Sequence, residues 1–389
     1  MRKLTANYIY PVSSGIIKNG IIIIDFCGKI IDVLDPEIID YSIDDVEYYD
    51  GILVPGFINT HCHLELSWMK SMIKKGLGLN QFIIDLQKLR KDKYPSPDEI
   101  NVSLKQTEKE IINEGIVAIG DIANSSLALR LKVGSQIKYH TFIEAFGFSP
   151  EIAETAFNKA FELFLIHTNI GNLSASIVPH APYSVSKELF KKIETFSNEL
   201  NKPFSIHNQE SDDENQLYLA KQGQVLERLD LWGIDYNNFN ATGLSSFQSI
   251  ISYLPKSSPV ILVHNLYTSA EDIELANFYS ERIFWCLCPE SNLYIQNKIP
   301  DVSLFIDLKS KVTIGTDSLA SNENISILKE LKTIKKYFPN VEWPVLIEWA
   351  TLNGAKALGF DNFLGSFEKN KTPGINLIYD DFNKVLKIN

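Results

Sequence analysis

The feature that most constrains the fold of this chain is a repeated alternation of short apolar runs with stretches of helical length, which begins near residue 51. The apolar runs do not alternate with polar residues, so they predict strands that are buried on both faces. Strands of that kind occur in parallel sheets covered by helices. We predict eight of them, at residues 52–60, 116–122, 138–145, 173–179, 203–207, 259–264, 282–288 and 311–316.

The segments between most of these runs carry apolar residues at helical spacing. They predict helices at residues 98–114, 151–167, 186–200, 269–280, 322–337 and 344–358. Eight strands that alternate with helices indicate an α/β fold, a closed (β/α)8 TIM barrel spanning residues 54–359. Two connections, 65–97 and 211–253, are too long for plain loops, and we expect them to form lids or substrate walls.

The amino-acid pattern at both ends of the chain differs from the pattern in the middle. Residues 1–53 contain isoleucine-, valine- and tyrosine-rich runs broken by turn signals such as Asn19-Gly20, and two more strand-like runs follow residue 374. Neither end has enough strands for a stable sheet of its own. We therefore predict that residues 1–53 and 360–389 form one small β-sandwich-like domain.

Composition limits the class of partner. A net charge of −11 argues against nucleic acid, because a phosphate backbone requires a basic face. No apolar run is long enough to span a membrane, and the first residues lack the apolar core of a signal peptide. The four cysteines form no secreted disulfide pattern. We expect a cytoplasmic protein that acts on a small molecule, and a homodimer is compatible with the sequence.

The first strand of the predicted barrel ends in two histidines separated by one residue. On a strand, residues i and i+2 point to the same side, so His61 and His63 would direct two imidazoles to one point. Imidazole nitrogen is a good ligand for zinc or iron. Taken alone, the pair could equally be two surface histidines.

Four more polar residues follow predicted strands at their carboxyl ends. They are His180 after strand 4, His207 after strand 5, His264 after strand 6 and Asp317 after strand 8. Any one of these histidines could be a buried structural residue. In a (β/α)8 barrel, however, catalytic groups collect at this rim, and so many polar residues there together favour a functional site.

These motifs carry a resemblance to a known family. The order Pro-Gly-Phe-Ile-Asn-x-His-x-His, His-Ala-Pro-Tyr, His-x-x-Glu and Gly-Thr-Asp-Ser resembles the amidohydrolase superfamily, and within it the metal-dependent deaminase/chlorohydrolase branch. That branch includes guanine, S-adenosylhomocysteine and aminodeoxyfutalosine deaminases and the triazine hydrolases. The resemblance implies an aminohydrolase that deaminates a purine- or pterin-like heterocycle through a metal-bound hydroxide.

The resemblance also assigns roles to residues. His61, His63, His207 and Asp317 would hold one divalent metal ion, usually zinc and sometimes iron. Asp317 would also accept the proton of the metal-bound water. Glu210 would carry a proton to a ring nitrogen, although three acidic neighbours leave a solvated helix-start carboxylate as an alternative. His264 would hydrogen-bond the hydroxide or the oxyanion.

Substrate contacts are expected from His180, Glu65, Trp68 and Asn292. Glu65 could instead orient His61 or His63. Glu144, near the end of strand 3, leaves a second metal ion open. Two other functions compete with deamination. One is hydrolysis of another C–N or C–Cl bond on the same scaffold, as in amide or triazine hydrolases. The other is a non-catalytic barrel that serves as a binding module.

Overall fold

The computed structural model describes residues 1–38, 45–169 and 173–388. The strands are β1 (Arg2–Ile9), β2 (Ile17–Lys18), β3 (Ile21–Ile24), β4 (Ile30–Leu34), β5 (Val46–Pro55), β6 (Phe57–Cys62), β7 (Ile116–Ala123), β8 (Lys138–Ala145), β9 (Ser174–Pro179), β10 (Phe204–Asn208), β11 (Val260–His264), β12 (Ile283–Leu287), β13 (Val312–Ile314), β14 (Ile375–Tyr379) and β15 (Lys384–Ile388).

The α-helices are α1 (Gly78–Asp92), α2 (Pro97–Asn113), α3 (Leu129–Val133), α4 (Ala153–Thr168), α5 (Lys187–Leu200), α6 (Asp212–Ala220), α7 (Gln224–Leu231), α8 (Ser246–Ile250), α9 (Ala270–Tyr279), α10 (Pro289–Gln296), α11 (Val302–Asp307), α12 (Ile327–Tyr337), α13 (Trp343–Glu348) and α14 (Gly354–Leu358). Several begin at side-chain caps. Ser186 accepts a hydrogen bond from the Leu189 N–H at the start of α5, and Ser96 forms a capping box with Glu99 at the start of α2.

The central strands form two parallel sheets in the described part of the chain, with the orders β6-β7-β8-β9 and β10-β11-β12-β13. Every residue of β6, β10, β11 and β12 is buried, as the non-alternating apolar runs predicted. The mixed α/β class is confirmed. The strand ladders give two sheets and not one closed ring, so closure into a barrel stays a prediction.

Strands from both chain ends share a seven-stranded sheet in the described ranges, with the order β15-β14-β5-β1-β3-β4 and β2 beside β1. Ile375 of β14 lies opposite Pro55 of β5 in an antiparallel ladder. The apolar residues of this sheet pack with Phe367 in one cluster. Within the described ranges, the strands from the two chain ends therefore form one sheet. They do not form the two packed sheets of a β-sandwich. Residues 39–44 of the predicted segment 1–53 lie outside the described residues.

The predicted strand 52–60 is wrong in one respect, because it is two strands that separate at Gly56. The Gly56 N–H donates to the Pro373 carbonyl at 3.2 Å, and a Cβ at Gly56 would lie 2.7 Å from that oxygen. A backbone approach this close excludes a side chain and ends the ladder. As a result β5 belongs to the terminal sheet, whereas β6 starts the parallel strands that carry the polar residues.

Two predicted helices also differ from the structure. The helix predicted at 322–337 begins only at Ile327, because the Asn322 side chain is engaged by Glu330 and the Thr316 carbonyl, each at 2.9 Å. The helix predicted at 344–358 contains a π-helical turn, Trp349–Asn353, between α13 and α14. Turns of this kind commonly interrupt α-helices.

A search of the described residues for helices found none that combines the length and the apolar character needed to cross a bilayer. The four cysteines are free, and Cys62, Cys286 and Cys288 are buried. The burial of Cys286 and Cys288 is typical of free cysteines that pack as small hydrophobic residues. The cytoplasmic location stays a prediction from the composition.

The terminal sheet leads to a stability test. Removing the last 25 residues deletes β14 and β15 and leaves the β5 edge unpaired. Since β5 runs directly into β6, we expect the truncated chain to unfold at a lower temperature in one transition that includes the parallel strands. Thermal unfolding followed by near-UV circular dichroism measures this. An unchanged midpoint for the bulk of the chain would contradict it.

Candidate metal centre and active site

Strand β6 delivers the first two histidines to the site. Two polar contacts fix its end against the strand β13: Thr60 donates to the Thr313 hydroxyl at 2.9 Å, and Asn59 donates to the Thr316 hydroxyl at 2.8 Å. All of these side chains are buried. The strand end is therefore held in register where His61 and His63 leave the sheet, and their Nε2 atoms lie 3.2 Å apart.

Four side chains converge on one point, as the sequence predicted. The ligand cluster consists of His61, His63, His207 and Asp317. Nε2 of His63 lies 3.4 Å from Nε2 of His207 and 3.3 Å from Oδ1 of Asp317. Nε2 of His61 lies 3.5 Å from the same carboxylate oxygen. Ligand atoms about 2.0–2.2 Å from a tetrahedral ion lie roughly 3.3–3.6 Å from one another, so this spacing fits a single ion.

The electrostatics of the ligand cluster also favours the binding of a metal ion. Burial lowers the pKa of His61 to about 3, so its imidazole is neutral and has a lone pair to offer. Burial alone would raise the pKa of Asp317, but its hydrogen bond to His61 and the neighbouring His63 and His264 hold that pKa well below the usual value. Three imidazole nitrogens and one carboxylate oxygen form a donor set suited to a divalent cation.

The outer atoms of two ligands are fixed by the protein. Ser291 and Ser321 donate to Oδ2 of Asp317 at 2.7 and 2.5 Å, which leaves Oδ1 facing the histidines. Nδ1 of His207 lies 2.8 Å from the His180 carbonyl oxygen, so this nitrogen carries the proton and Nε2 points inward. Such outer contacts fix the tautomer and the orientation of metal ligands.

Glu144 lies on the outer side of His207. Its Oε1 is 3.4 Å from Nδ1 of His207, its Oε2 accepts from Asn124 at 2.9 Å, and burial raises its pKa. The carboxylate therefore faces the nitrogen that points away from the ligand cluster. Glu144, His180 and His207 also lie close enough together to hold an ion.

Glu210 and His264 face each other beside the ligand cluster. Oε1 of Glu210 lies 3.7 Å from Nε2 of His264, and both side chains are buried. Burial raises the pKa of Glu210 well above its usual value, and the charges of Asp317 and Glu214 add to the effect. A buried carboxyl group with a raised pKa is suited to general acid catalysis. Glu210 is thus not a solvated helix-start carboxylate.

One cavity of about 310 Å³ opens onto these groups. It is lined by His63, His207, Asp317, Glu210, His264 and His180 on its polar side. The two long connections supply the opposite walls, as the sequence predicted. From α1 come Leu79, Phe82, Ile83, Leu86, Gln87 and Arg90, and from α7 and the residues after it come Val225, Arg228, Leu229, Trp232 and Ile234.

The residues predicted to contact the substrate lie at different positions relative to the cavity. His180 lines the cavity, and its ring lies 4.5 Å from the ring of Phe146. The Asn292 amide nitrogen lies 3.4 Å from Nδ1 of His264, behind the cavity wall. Trp68 lies outside the cavity, with its ring 5.9 Å from that of Tyr94.

Glu65 is brought neither to the cavity nor to the histidines. Its carboxylate accepts hydrogen bonds from the Asn124 and Ser125 N–H groups at 3.1 and 3.0 Å and from the Ser125 hydroxyl at 2.7 Å. The short 3₁₀ turn Leu64–Met69 carries the side chain towards the end of β7. Glu65 thus fixes the loop after β7, and neither expected role, substrate contact or histidine orientation, has a contact to support it.

Sequence reasoning missed the wall residues. The cavity-lining residues of α1 recur at intervals of three or four, which is the signal that could have identified one face of this helix. Arg228 is buried, donates to Asn80 at 2.8 Å and lies over the Tyr183 ring at 5.1 Å. No local pattern indicates that contact, since Asn80 and Arg228 are far apart in sequence.

Comparison with known proteins places this geometry in a family. The family model described as "Amidohydrolase family" matches residues 52–388. The chain belongs to the amidohydrolase family. It is 25% identical over 386 residues to a 5-methylthioadenosine/S-adenosylhomocysteine deaminase of Saccharophagus degradans, an alignment that covers 95% of this chain and 81% of that one. The resemblance inferred from the sequence motifs is confirmed.

Solved structures share the fold of this amidohydrolase. An aminofutalosine deaminase of Helicobacter pylori, in complex with methylthio-coformycin, matches with a TM-score of 0.80 and 21% identity, over 97% of this chain and 92% of that one. An adenosine deaminase of Xanthomonas campestris with bound zinc matches with a TM-score of 0.73 and 19% identity, over 97% of this chain and 84% of that one.

The ligand cluster predicts which histidines bind metal. We expect His63→Ala to reduce the bound divalent metal well below one ion per chain, because it removes a nitrogen at the centre of the cluster. His167→Ala is the matched control, since His167 is buried elsewhere and its Nε2 lies 3.2 Å from the Ser125 carbonyl oxygen. Elemental analysis of both purified variants measures this. Equal metal content in the two would contradict the assignment, as would two ions per chain in the unmutated protein.

Proposed function

We propose that this amidohydrolase removes the exocyclic amino group of a purine- or pterin-like heterocycle as ammonia, with one divalent metal ion held by the ligand cluster. The observation that carries the proposal is the position of Glu210, a buried carboxyl with a raised pKa, beside three histidines and an aspartate in one cavity. Deamination of a ring amidine needs both an activated water molecule and a proton donor for the ring nitrogen.

Zinc is the metal we propose, and iron is the alternative. Three imidazole nitrogens and one carboxylate oxygen are ligands that suit catalytic zinc, and water would take a further position on the ion. When bound, the ion would lower the pKa of that water so that hydroxide forms near neutral pH. Glu144 faces the outer nitrogen of His207, where we propose that it orients this histidine and is not a ligand of the same ion.

The residues of this chain would handle the protons. Glu210 donates its proton to the ring nitrogen next to the carbon that bears the amino group, so that this carbon becomes electrophilic. Asp317 accepts the proton that water loses as it adds to that carbon. His264 hydrogen-bonds the oxygen that is added. As the adduct collapses, Asp317 returns its proton to the amino group, which leaves as ammonia, and the hydroxyl of the adduct gives its proton to Glu210 as the carbonyl group forms.

The walls favour a nucleoside over a free base. The polar groups occupy one side of the cavity, and the apolar residues of α1 and α7 extend it well beyond the space of a single ring system. The relative named above is a 5-methylthioadenosine/S-adenosylhomocysteine deaminase, and we propose an adenine nucleoside as the substrate class here. His180 and the adjoining Phe146 would contact the heterocycle or its sugar.

The remaining predicted contacts receive different proposed roles. Asn292 would act through its contact to His264 and not on the substrate itself. Glu65 would brace the loop after β7, and Trp68 would pack against Tyr94 outside the cavity. These two side chains are therefore not proposed as substrate contacts.

We also infer that the two parallel sheets close into one (β/α)8 barrel. Two contacts between the sheets support closure: the His207 N–H donates to the His180 carbonyl at 3.0 Å, and Cys62 pairs with Asp317 in an isolated parallel bridge. Residues 1–53 and 360–389 would form the composite β domain beside a barrel at 54–359. The ladder between β5 and β14 supports that division.

Other functions remain as alternatives. Hydrolysis of an amide or of a C–Cl bond could use the same metal and water, but the relative compared above, at 25% identity, is named a deaminase. A binding module without catalysis would have no need of a buried carboxyl group opposite His264. Ammonia release from a panel of nucleobases and nucleosides separates deamination from both alternatives.

The decisive variant is Glu210→Gln. It keeps the size of the side chain but removes the transferable proton, so we expect kcat and kcat/KM to fall together by at least ~10²-fold. Metal content and substrate affinity should persist, because Glu210 is not proposed as a ligand. Asp212→Asn, which removes an exposed charge two residues away, is the control and should retain the full rate. A near-native rate in Glu210→Gln would contradict the mechanism.

A further inference from the structure

The backbone just before Glu210 adopts a conformation that needs support. Gln209 lies between β10 and α6 with a φ of 47°, in the left-handed region that residues with a side chain rarely adopt. This turn redirects the chain so that the Glu210 side chain faces His264, 3.7 Å away. A strained turn next to a reacting group persists only where its surroundings fix it.

The main chain of this turn is held by Glu214. Oε1 of Glu214 accepts the Gln209 N–H at 2.9 Å and the hydroxyl of Ser246 at 2.6 Å. Glu214 is the third residue of α6 and is fully buried. Because Ser246 is the first residue of α8, the carboxylate links the turn to a second helix.

The side chain of Gln209 is also held by hydrogen bonds. It donates to Oδ2 of Asp272 at 2.8 Å and accepts from the Thr268 hydroxyl at 2.6 Å. Ser245 donates to Oδ1 of Asp272 at 2.7 Å. Adjacent serines at the start of α8 therefore contact the two buried acids that hold the turn. The later part of the 211–253 connection thus supports this turn, whereas α7 forms the cavity wall.

We propose that Glu214 is a positioning residue for Glu210, which holds the left-handed turn and thereby keeps the Glu210 carboxyl opposite His264. The inference rests on the proposed function, because it concerns the group that donates the proton. Nothing else in the proposed mechanism requires Glu214, which lines no part of the cavity.

Helix capping alone does not account for a buried acid here. Asp212 and Asp213 also lie in the first turn of α6, where acidic side chains favour the helix from solvent-accessible positions. Burial raises the pKa of Glu214 to about 7, against the effect of the Ser246 hydroxyl and the N–H groups of Gln209 and Glu210. A group desolvated at such cost is expected to serve the contacts that it makes.

The test is kinetic. Glu214→Gln places an amide where a carboxylate accepts N–H groups, so we expect the turn to relax and kcat to fall by ~10- to 100-fold, the effect of misplacing a catalytic group by about 1 Å. KM should stay within about twofold and metal content should be unchanged, because neither depends on this turn. Ser246→Ala, which removes one partner of Glu214, should lower kcat in the same direction by less. The Asp212→Asn control should not change kcat.

A double-mutant cycle with Glu210→Gln isolates the coupling. If Glu214 acts through Glu210, Glu214→Gln should cost little additional rate once Glu210 is already glutamine. Full additivity of the two losses would overturn the proposal, as would a native kcat in both Glu214→Gln and Ser246→Ala. If Glu214→Gln does not fold, Ser246→Ala combined with Glu210→Gln gives the same cycle. Failure of the proposed function is distinguishable, since Glu210→Gln alone would then keep its rate.

Discussion

The convergence of three imidazole nitrogens and one carboxylate oxygen is the constraint on which the rest of this structure depends. The atoms come from β6, the end of β10 and the residue that follows Thr316, so strand ends must be fixed to within a fraction of an ångström. Each measured pair is 3.2–3.5 Å apart, which is the spacing that one tetrahedral ion requires. Burial lowers the pKa of His61 and His63, which leaves these imidazoles uncharged and available as ligands.

Backbone geometry fixes these side chains as much as hydrogen bonds do. Gln209, His264 and Asp317 all have positive φ values, of 47°, 79° and 56°, and all lie where a strand ends. Such conformations are unfavourable for residues with a side chain and cluster at functional sites. On the other side of the site, the buried pair of Lys132 and Asp121 helps to fix the backbone next to His63. Their charged atoms are 2.5 Å apart, and Asp121 also accepts the N–H of Leu64, the residue after His63.

The sequence predicts which side chains meet at the site because their placement depends on local rules. His61 and His63 share a side of a strand by the period of two, and Glu210 follows His207 at a spacing that resembles a family motif. The terminal strand Ile375–Tyr379 is likewise found where predicted. These inferences succeed because each needs only the type of element and the position of a residue along it.

Local rules do not predict contacts between distant segments. The division of one predicted strand at Gly56 depends on the Pro373 carbonyl, and the position of Glu65 depends on Ser125, neither of which is near in sequence. To predict that α1 and α7 form the cavity walls, one would need to know the paths of the two long connections. Glu214 was interpreted only as one of several acids at a helix start, because its burial against Ser246 is a tertiary contact.

The most direct test of the account is titration of metal-free protein with zinc while ammonia release from an adenine nucleoside is measured. The account predicts that activity is absent without metal, rises in proportion to added zinc and reaches its plateau at one equivalent per chain. Full activity without metal, or a plateau only at two equivalents, would contradict it.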